Sequence, residues 1–390
     1  MNTLKAYAHR AASFLRLKRM TRRSQKAALN GLAELSFGPS SLNLMMADTC
    51  NSQCIMCGHD YKARGTGERL TLQAMRTIYG HLNMAEVVDV IYGGGGEPFL
   101  NPELADIAEF TREIDPVIQH TVITNAIHGD AETYRRLLRS RVHFLCSINA
   151  ATPETFEAVS GTGHFHRALD HLRMLVALRK EVSAPVDISI SMVLMRRNID
   201  ELCDFIRMAR REGADGVKTL YVRLYPDAYR HRSNTSCRIT SEDSLFFQQE
   251  HSDRVVREAA ALAGRLNLSF DHEPFFADST SRSRDCIDPW KSLFINFNGD
   301  AYPCPASEIL FMNKINSRQY ASGNILEQPI MEFWNNPFWQ ALRKTNSVRG
   351  RQEIVPECLC CGNAMCWNGV RDRSAHLLDW SPAEQSDLRL

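Results

Sequence analysis

No stretch of this 390-residue chain approaches the roughly 18 uninterrupted apolar residues that a transmembrane helix needs, which argues against an ordinary helical membrane span. No apolar h-region follows the basic N-terminus, so secretion is not expected and the cytoplasm is the expected compartment. Excess charge is also missing. Lys and Arg number 46 against 45 Asp and Glu, without the basic surplus of a dedicated nucleic-acid binder, so no nucleic-acid partner is expected. The first 30 residues contain no acid and eight bases, which leaves 38 bases against 45 acids, a net of −7, in the remainder. With Leu4, Tyr7, Ala11, Phe14 and Leu15 on one helical stripe, this segment reads either as a helix packed on the body or as one facing an anionic membrane or an acidic partner. What the chain does have is cysteine. Twelve thiols in a reducing compartment, most of them clustered, point to metal or catalysis rather than disulfides.

From residue 42 short apolar runs alternate with helical patterns, the signature of βαβ units and a parallel sheet. Strands are expected over 42–48, 86–92, 117–124, 142–149, 185–194 and 216–224, each rich in Val, Ile, Leu or Tyr. Helices are expected over 71–83, 102–114, 130–140, 152–182 with a break at Gly161 and Gly163, 199–212 and 242–266. The Arg-, Ser- and Asn-rich stretch 226–241 reads as a linker or lid. After about 275 the rhythm changes to a hairpin around Asn298-Gly299-Asp300, aromatic clusters and cysteine pairs. The expected organisation is a basic extension over 1–40, an α/β domain over 41–270, a smaller irregular domain over 275–370 and a tail over 371–390.

Cys50, Cys54 and Cys57 place three thiols within eight residues directly after the first strand. Three thiolates satisfy three irons of a cubane and leave the fourth iron open to a ligand, whereas a structural zinc wants four closed ligands, with His59 as the alternative fourth. The second strand ends in Tyr92-Gly-Gly-Gly-Gly-Glu97-Pro98. A Gly run there lets main chain approach a ligand that a Cβ would exclude, and it is neither G-x-G-x-x-G before a ribose-binding acid nor a P-loop. Polar residues recur at later strand ends, at Thr124-Asn125, Ser147-Ile-Asn149 and Met195-Arg196-Arg197-Asn198, where α/β folds bind their ligands.

C-x3-C-x2-C followed by Gly-Gly-Glu-Pro resembles the motifs of the radical S-adenosylmethionine (radical SAM) superfamily. The resemblance implies a partial (β/α)6 barrel over about 40–270, with a 4Fe-4S cluster on Cys50, Cys54 and Cys57. It implies SAM held by Gly94, Gly95, Gly96 and Glu97, with Thr124, Asn125, Ser147, Asn149 and Arg196 as further cofactor contacts. Family members commonly carry Thr-Asn-Gly and Ser-Ile-Asp where this chain has Ala126 and Asn149.

Cys286, Cys304, Cys358, Cys360, Cys361 and Cys366 crowd the last quarter, with Gly299 to Cys304 forming G-x4-C after the hairpin. Cys286, Cys304, Cys358 and Cys361 resemble the ligands of a twitch-type SPASM domain, which implies one auxiliary 4Fe-4S cluster; a four-thiolate zinc ribbon is the alternative. Cys360 and Cys366 compete for the last ligand place. The family reading implies reductive cleavage of SAM to a 5'-deoxyadenosyl radical, hydrogen abstraction from a substrate carbon, and an external one-electron reductant of flavodoxin or ferredoxin type. A two-electron oxidation of a sugar- or aminocyclitol-like substrate, small or carrier-linked, is the expected reaction. Radical epimerisation, maturation of a ribosomal peptide and non-catalytic electron transfer are the alternatives.

Overall fold

The structure, a computed structural model, describes residues 2–57, 67–223, 239, 241–281, 286–303, 322–347, 352 and 354. The strands are β1 (Ser41–Leu44), β2 (Asp89–Tyr92), β3 (Gln119–Thr124), β4 (His143–Ser147), β5 (Ile188–Leu194), β6 (Gly216–Tyr221), β7 (Ser269–Asp271), β8 (Ser292–Ile295) and β9 (Ala301–Tyr302). They form one sheet in the order β7-β6-β5-β4-β3-β2-β1-β8-β9. Every pairing is parallel except β8 with β9, so consecutive strands are joined by crossovers and the arc ends at β7 and β9. The six expected strands all appear, and the α/β partial-barrel class is as the motifs implied.

The crossover helices are α2 (Leu72–Gly80), α3 (Leu104–Ile114), α4 (Ala131–Arg139), α5 (Pro153–Ser160), α6 (Phe165–Glu181), α7 (Leu202–Glu212) and α8 (Gln249–Arg265). Local chemistry sets their ends. The side chains of Thr71, Asp130 and Thr152 accept from backbone N–H groups of the first turns of α2, α4 and α5, satisfying donors that have no partner inside the helix. Gly161 closes α5 in the left-handed region (φ +68°), so the long 152–182 pattern divides there as its glycines suggest.

Strand alternation separates two environments. Val90, Tyr92, Val122, Phe144, Cys146, Ile188 and Ile190 are fully buried toward the helices. Ile91, Thr121, Ile123, Leu145 and Ser147 face the other side and are only half-buried. The core thus lies between sheet and helices, and the inner face is left for ligands.

Two features escaped the periodicity. β7 adds a seventh parallel strand. The 298–300 hairpin forms as expected, but β8 also pairs with β1 in register Ser41↔Ser292 to Leu44↔Ile295, extending the barrel sheet. No local pattern announces a pairing between segments some 250 residues apart.

The N-terminal helix α1 (Asn2–Leu29) packs on the body through Met20, Ser24, Ala27 and Ala28. Ser24 Oγ donates to the Trp290 carbonyl in α9 (Asp288–Lys291) at 3.1 Å, and Arg16 and Arg23 pair with Asp115 and Glu86. The helix-on-body reading therefore holds for its second half.

Candidate active site at the barrel mouth

The chain leaves the sheet after Leu44, earlier than its apolar run suggests, because other partners take over. Met45 N donates to Ile295 O at 2.9 Å, Leu70 N to Met46 O at 3.1 Å and Asp48 N to Glu68 O at 3.1 Å. The cysteine loop that follows is gripped from two sides. Gln53 N and Ile55 N each donate at 2.9 Å to the carbonyls of Ser160 and Val159 at the end of α5. Gly161 is required there, since a Cβ would lie 2.7 Å from Gln53 O. On the other side Glu97 N donates to Thr49 O at 2.8 Å. At Gly96 (φ +63°) a Cβ would stand 2.0 Å from Ala47 O, so no other residue fits without moving the loop. The two motifs of the sequence, 40 residues apart, are thus one packed unit.

Glu97 is buried, and three protein donors hold its carboxylate. Thr124 Oγ1 donates at 2.6 Å and Phe99 N at 3.2 Å to Oε1, and Asn125 N at 2.9 Å to Oε2. Burial pushes its pKa up to about 7 against the opposing pull of these donors. Glu97 therefore shapes the Gly loop from inside, and the loop's open surface is at Gly94 and Gly96. Asn125 turns its Nδ2 to the cysteine loop, 2.6 Å from Asn51 Oδ1, 3.1 Å from Ser52 Oγ and 3.8 Å from Cys50 Sγ. Gly94, Gly95, Gly96, Glu97, Thr124, Asn125 and Cys50 are thus brought together.

Cys50, Cys54 and Cys57 each keep part of their surface open. Burial and the neighbouring Glu97 raise the Cys50 thiol well above its ordinary range, and burial with the adjacent Cys57 pushes Cys54 up to about 12. Three thiols on one short loop, two of them held in their protonated form by burial, are a donor set whose protons a bound metal centre displaces, and the thiolate chemistry fits an iron–sulfur cluster. Among the described residues no three Cys, His, Asp or Glu side chains, Cys50, Cys54 and Cys57 included, are gathered closely enough to hold a metal ion as they stand.

Further along the rim the polar strand ends divide. Ser147 lies on the half-buried inner face with its Oγ 3.2 Å from Ser191 Oγ, while Cys146 points to the helices, buried and pushed up to about 12. Asn149 (φ +64°) has its Oδ1 occupied by Val193 N at 2.8 Å, and Asn198 Nδ2 bonds the carbonyls of Asn149 and Val193 at 2.9 Å each. These two amides tie β4 to β5, and what Asn149 leaves for a ligand is its Nδ2. Arg196 is exposed, its backbone N bonded to Asp243 O at 2.9 Å. Asn101 was not foreseen as part of this region. Read as a helix start, it also sends Nδ2 to Met46 O and Leu70 O at 2.9 and 2.8 Å, fixing the base of the cysteine loop. Its only sequence signal is the Asn-Pro pair, which indicates a cap.

Cys286 is half-buried before α9. Cys304, Cys358 and Cys361, with Cys360, Cys366, Cys237, His59 and most of the 226–241 stretch, lie outside the described residues.

Ala126 stands at φ +58°, and Asn149 also stands in the left-handed region, which Asn tolerates. Ala126→Val is expected to destabilise the fold by about 2 kcal/mol or more, because a β-branched residue is strained there, whereas Ala126→Gly should stay within about 0.5 kcal/mol of the parent. Urea unfolding checks this; equal stability of Val and Gly variants would show that the turn relaxes freely.

Residues 44–209 match the radical SAM superfamily, and residues 286–362 match SPASM, an iron–sulfur cluster-binding domain. Mycofactocin maturase MftC of Mycobacterium ulcerans (strain Agy99) is 30% identical over 329 residues, covering 80% of this chain and 78% of that protein. This chain belongs to the radical SAM superfamily. The PqqA peptide cyclase of Streptomyces rochei is 25% identical over 327 residues, 83% of this chain and 81% of that one. The crystal structure of Streptococcus suis SuiB superposes with a TM-score of 0.63 at 17% identity, covering 87% of this chain and 74% of SuiB, and shares the fold. As a radical SAM enzyme with a SPASM domain, the protein uses SAM, a SAM-binding 4Fe-4S cluster and auxiliary iron–sulfur binding. Among the described residues no helix is long and apolar enough to cross a membrane.

Proposed function

We propose that this radical SAM enzyme matures a precursor peptide, and that Cys50, Cys54 and Cys57 hold the SAM-binding cluster while Gly94 to Gly96 receive SAM. The observation that carries the peptide reading is that two relatives matched along about four fifths of both chains are named as a peptide cyclase and a maturase. This displaces the sugar or aminocyclitol substrate that the sequence alone favours. Among the described residues the arc ends at β7 on one side and β9 on the other, and near the β7 edge Leu220 is exposed and Val193 and Lys218 are half-buried.

When bound, the cluster and SAM supply an oxidant that removes a hydrogen atom from an unactivated C–H bond. The chain's own part is positional. Glu97, held by Thr124, Asn125 and Phe99, keeps the Gly loop against the cysteine loop, and Asn125 fixes Asn51 and Ser52 beside Cys50. Ser147 and Ser191 present hydroxyls on the inner face. Asn149 and Asn198 hold the β4 and β5 ends so that this geometry is set before a ligand arrives. Cys286 stands as the described member of the proposed auxiliary set with Cys304, Cys358 and Cys361, and an external flavodoxin- or ferredoxin-type reductant is the proposed electron source.

The test is anaerobic incubation of the reconstituted enzyme with SAM, a reductant and short peptides encoded beside its gene, read by mass spectrometry. A peptide product lighter by two hydrogens is expected. SAM consumption coupled instead to a sugar or aminocyclitol, with every peptide unchanged, would return the reading to the small-molecule substrate.

A further inference from the structure

Half of α1 has a job that packing does not explain. Ser13, Met20, Ser24 and Ala27 fall on one side of the helix and are buried against the body. Ala11, Leu15, Lys18, Arg22 and Leu29 fall on the opposite side, and all are exposed. The large apolar side chains there are open to water: Phe14 is 51% exposed, Leu15 65% and Leu29 52%. Lys18, Arg19, Arg22 and Lys26 are exposed among them, with Lys18 Nζ 4.2 Å from the Phe14 ring centroid. Apolar residues and bases interleaved along one outward face are costly to leave in water, and they match a surface that is both greasy and negative.

We propose that the outward face of α1 lies on an anionic lipid bilayer and holds this enzyme at a membrane surface as a peripheral protein. Charge complementarity decides for lipid. The first 30 residues carry +8 and the remaining chain −7, so a broad negative surface attracts this helix and repels the rest, which selects one orientation. Shape agrees, because Phe14, Leu15 and Leu29 each expose half or more of their surface on this face. A flat bilayer interface can receive such a face, with Phe14 and Leu15 entering the acyl boundary and Lys18 and Arg22 reaching headgroup phosphates. The inference does not depend on the substrate assigned above.

The experiment is co-sedimentation of the full-length holoenzyme with vesicles of equal parts phosphatidylcholine and phosphatidylglycerol, and with phosphatidylcholine alone. Binding to the anionic vesicles only is expected, weakened by 1 M salt, whose screening length is about 3 Å. Lys18→Gln with Arg22→Gln should weaken it about 30-fold, and Phe14→Ser with Leu15→Ser about tenfold or more. None of these side chains enters the core, and unchanged thermal unfolding of both variants verifies their fold. No binding to anionic vesicles, equal binding to neutral ones, or unchanged binding in both variants would overturn the proposal. So would binding of soluble poly-glutamate to this face without vesicle binding, which would assign it to an acidic peptide.

Discussion

Replacing Cys50, Cys54 or Cys57 with Ala is expected to abolish formation of 5'-deoxyadenosine from SAM under dithionite, because the loop then offers too few thiolates to retain a cubane with one open iron. Iron bound by the reconstituted protein should fall by about four per chain, while the iron held through the C-terminal cysteines remains. The effect should be local. The loop is held by backbone bonds to Ser160, Val159 and Glu68 and by the Asn101 amide, none of which involves a thiol, so far-ultraviolet circular dichroism and unfolding should change little. Persistent 5'-deoxyadenosine in the triple variant would remove these residues from the site. Loss of all iron together with the fold would show the loop to be structural instead.

Arg343→Ala is expected to destabilise the protein by about 3 to 5 kcal/mol in chemical denaturation, the largest stability effect anticipated for any single side chain described. Arg343, on α10 (Pro337–Asn346), is completely buried, with its guanidinium 4.7 Å from the Trp334 ring centroid and 5.7 Å from that of Trp339. Its Nε donates to Pro289 O, and its Nη1 to Ala33 O and Asn335 Oδ1, each at 2.9 Å. Asn335 in turn bonds both the N–H and the carbonyl of Leu35. One cation therefore joins the segment after α1, helix α9 before β8 and the C-terminal helices. Truncation leaves three buried acceptors short of a donor and a cavity between two indoles. Arg343→Lys should recover less than half of the loss, since one ammonium cannot span acceptors arranged for a planar fork. Stability of Arg343→Ala within about 1 kcal/mol of the parent would mean that the desolvation of this charge already cancels its bonds.

The candidate site was legible at its motifs because it is assembled from residues adjacent in sequence at strand ends. Cys50, Cys54, Cys57 and Gly94 to Glu97 could be assigned to a loop and a turn from spacing and glycine content alone, and the structure places them against each other. The roles of individual polar residues were less legible. A Glu after a Gly run reads as a ligand contact, yet the Glu97 carboxylate is taken up by Thr124, Asn125 and Phe99. Asn149 reads as a cofactor contact, and its Oδ1 is taken by Val193 N, which leaves only its Nδ2 for that role. Asn101 reads as a cap and also fastens the cysteine loop. In each case the deciding partner comes from another element, and hydrogen-bond partners across a fold leave no trace in local periodicity.

By itself the sequence determined the parallel α/β class, the order of strands and helices, the helix break at Gly161 and the spacing of the first cysteine cluster, while the helix expected from 242 begins only at Gln249. These follow from period-2 and period-3.6 patterning, capping residues and thiol spacing, which act over a few residues. Only the tertiary structure decided that β8 joins β1 and that a buried Arg343 ties both ends of the described chain together. It alone showed that α1 sits on the body by its small residues while Phe14, Leu15 and four bases face outward. Those outcomes depend on which surfaces exclude water from each other, a property of pairs of segments far apart in the chain that neither segment carries alone.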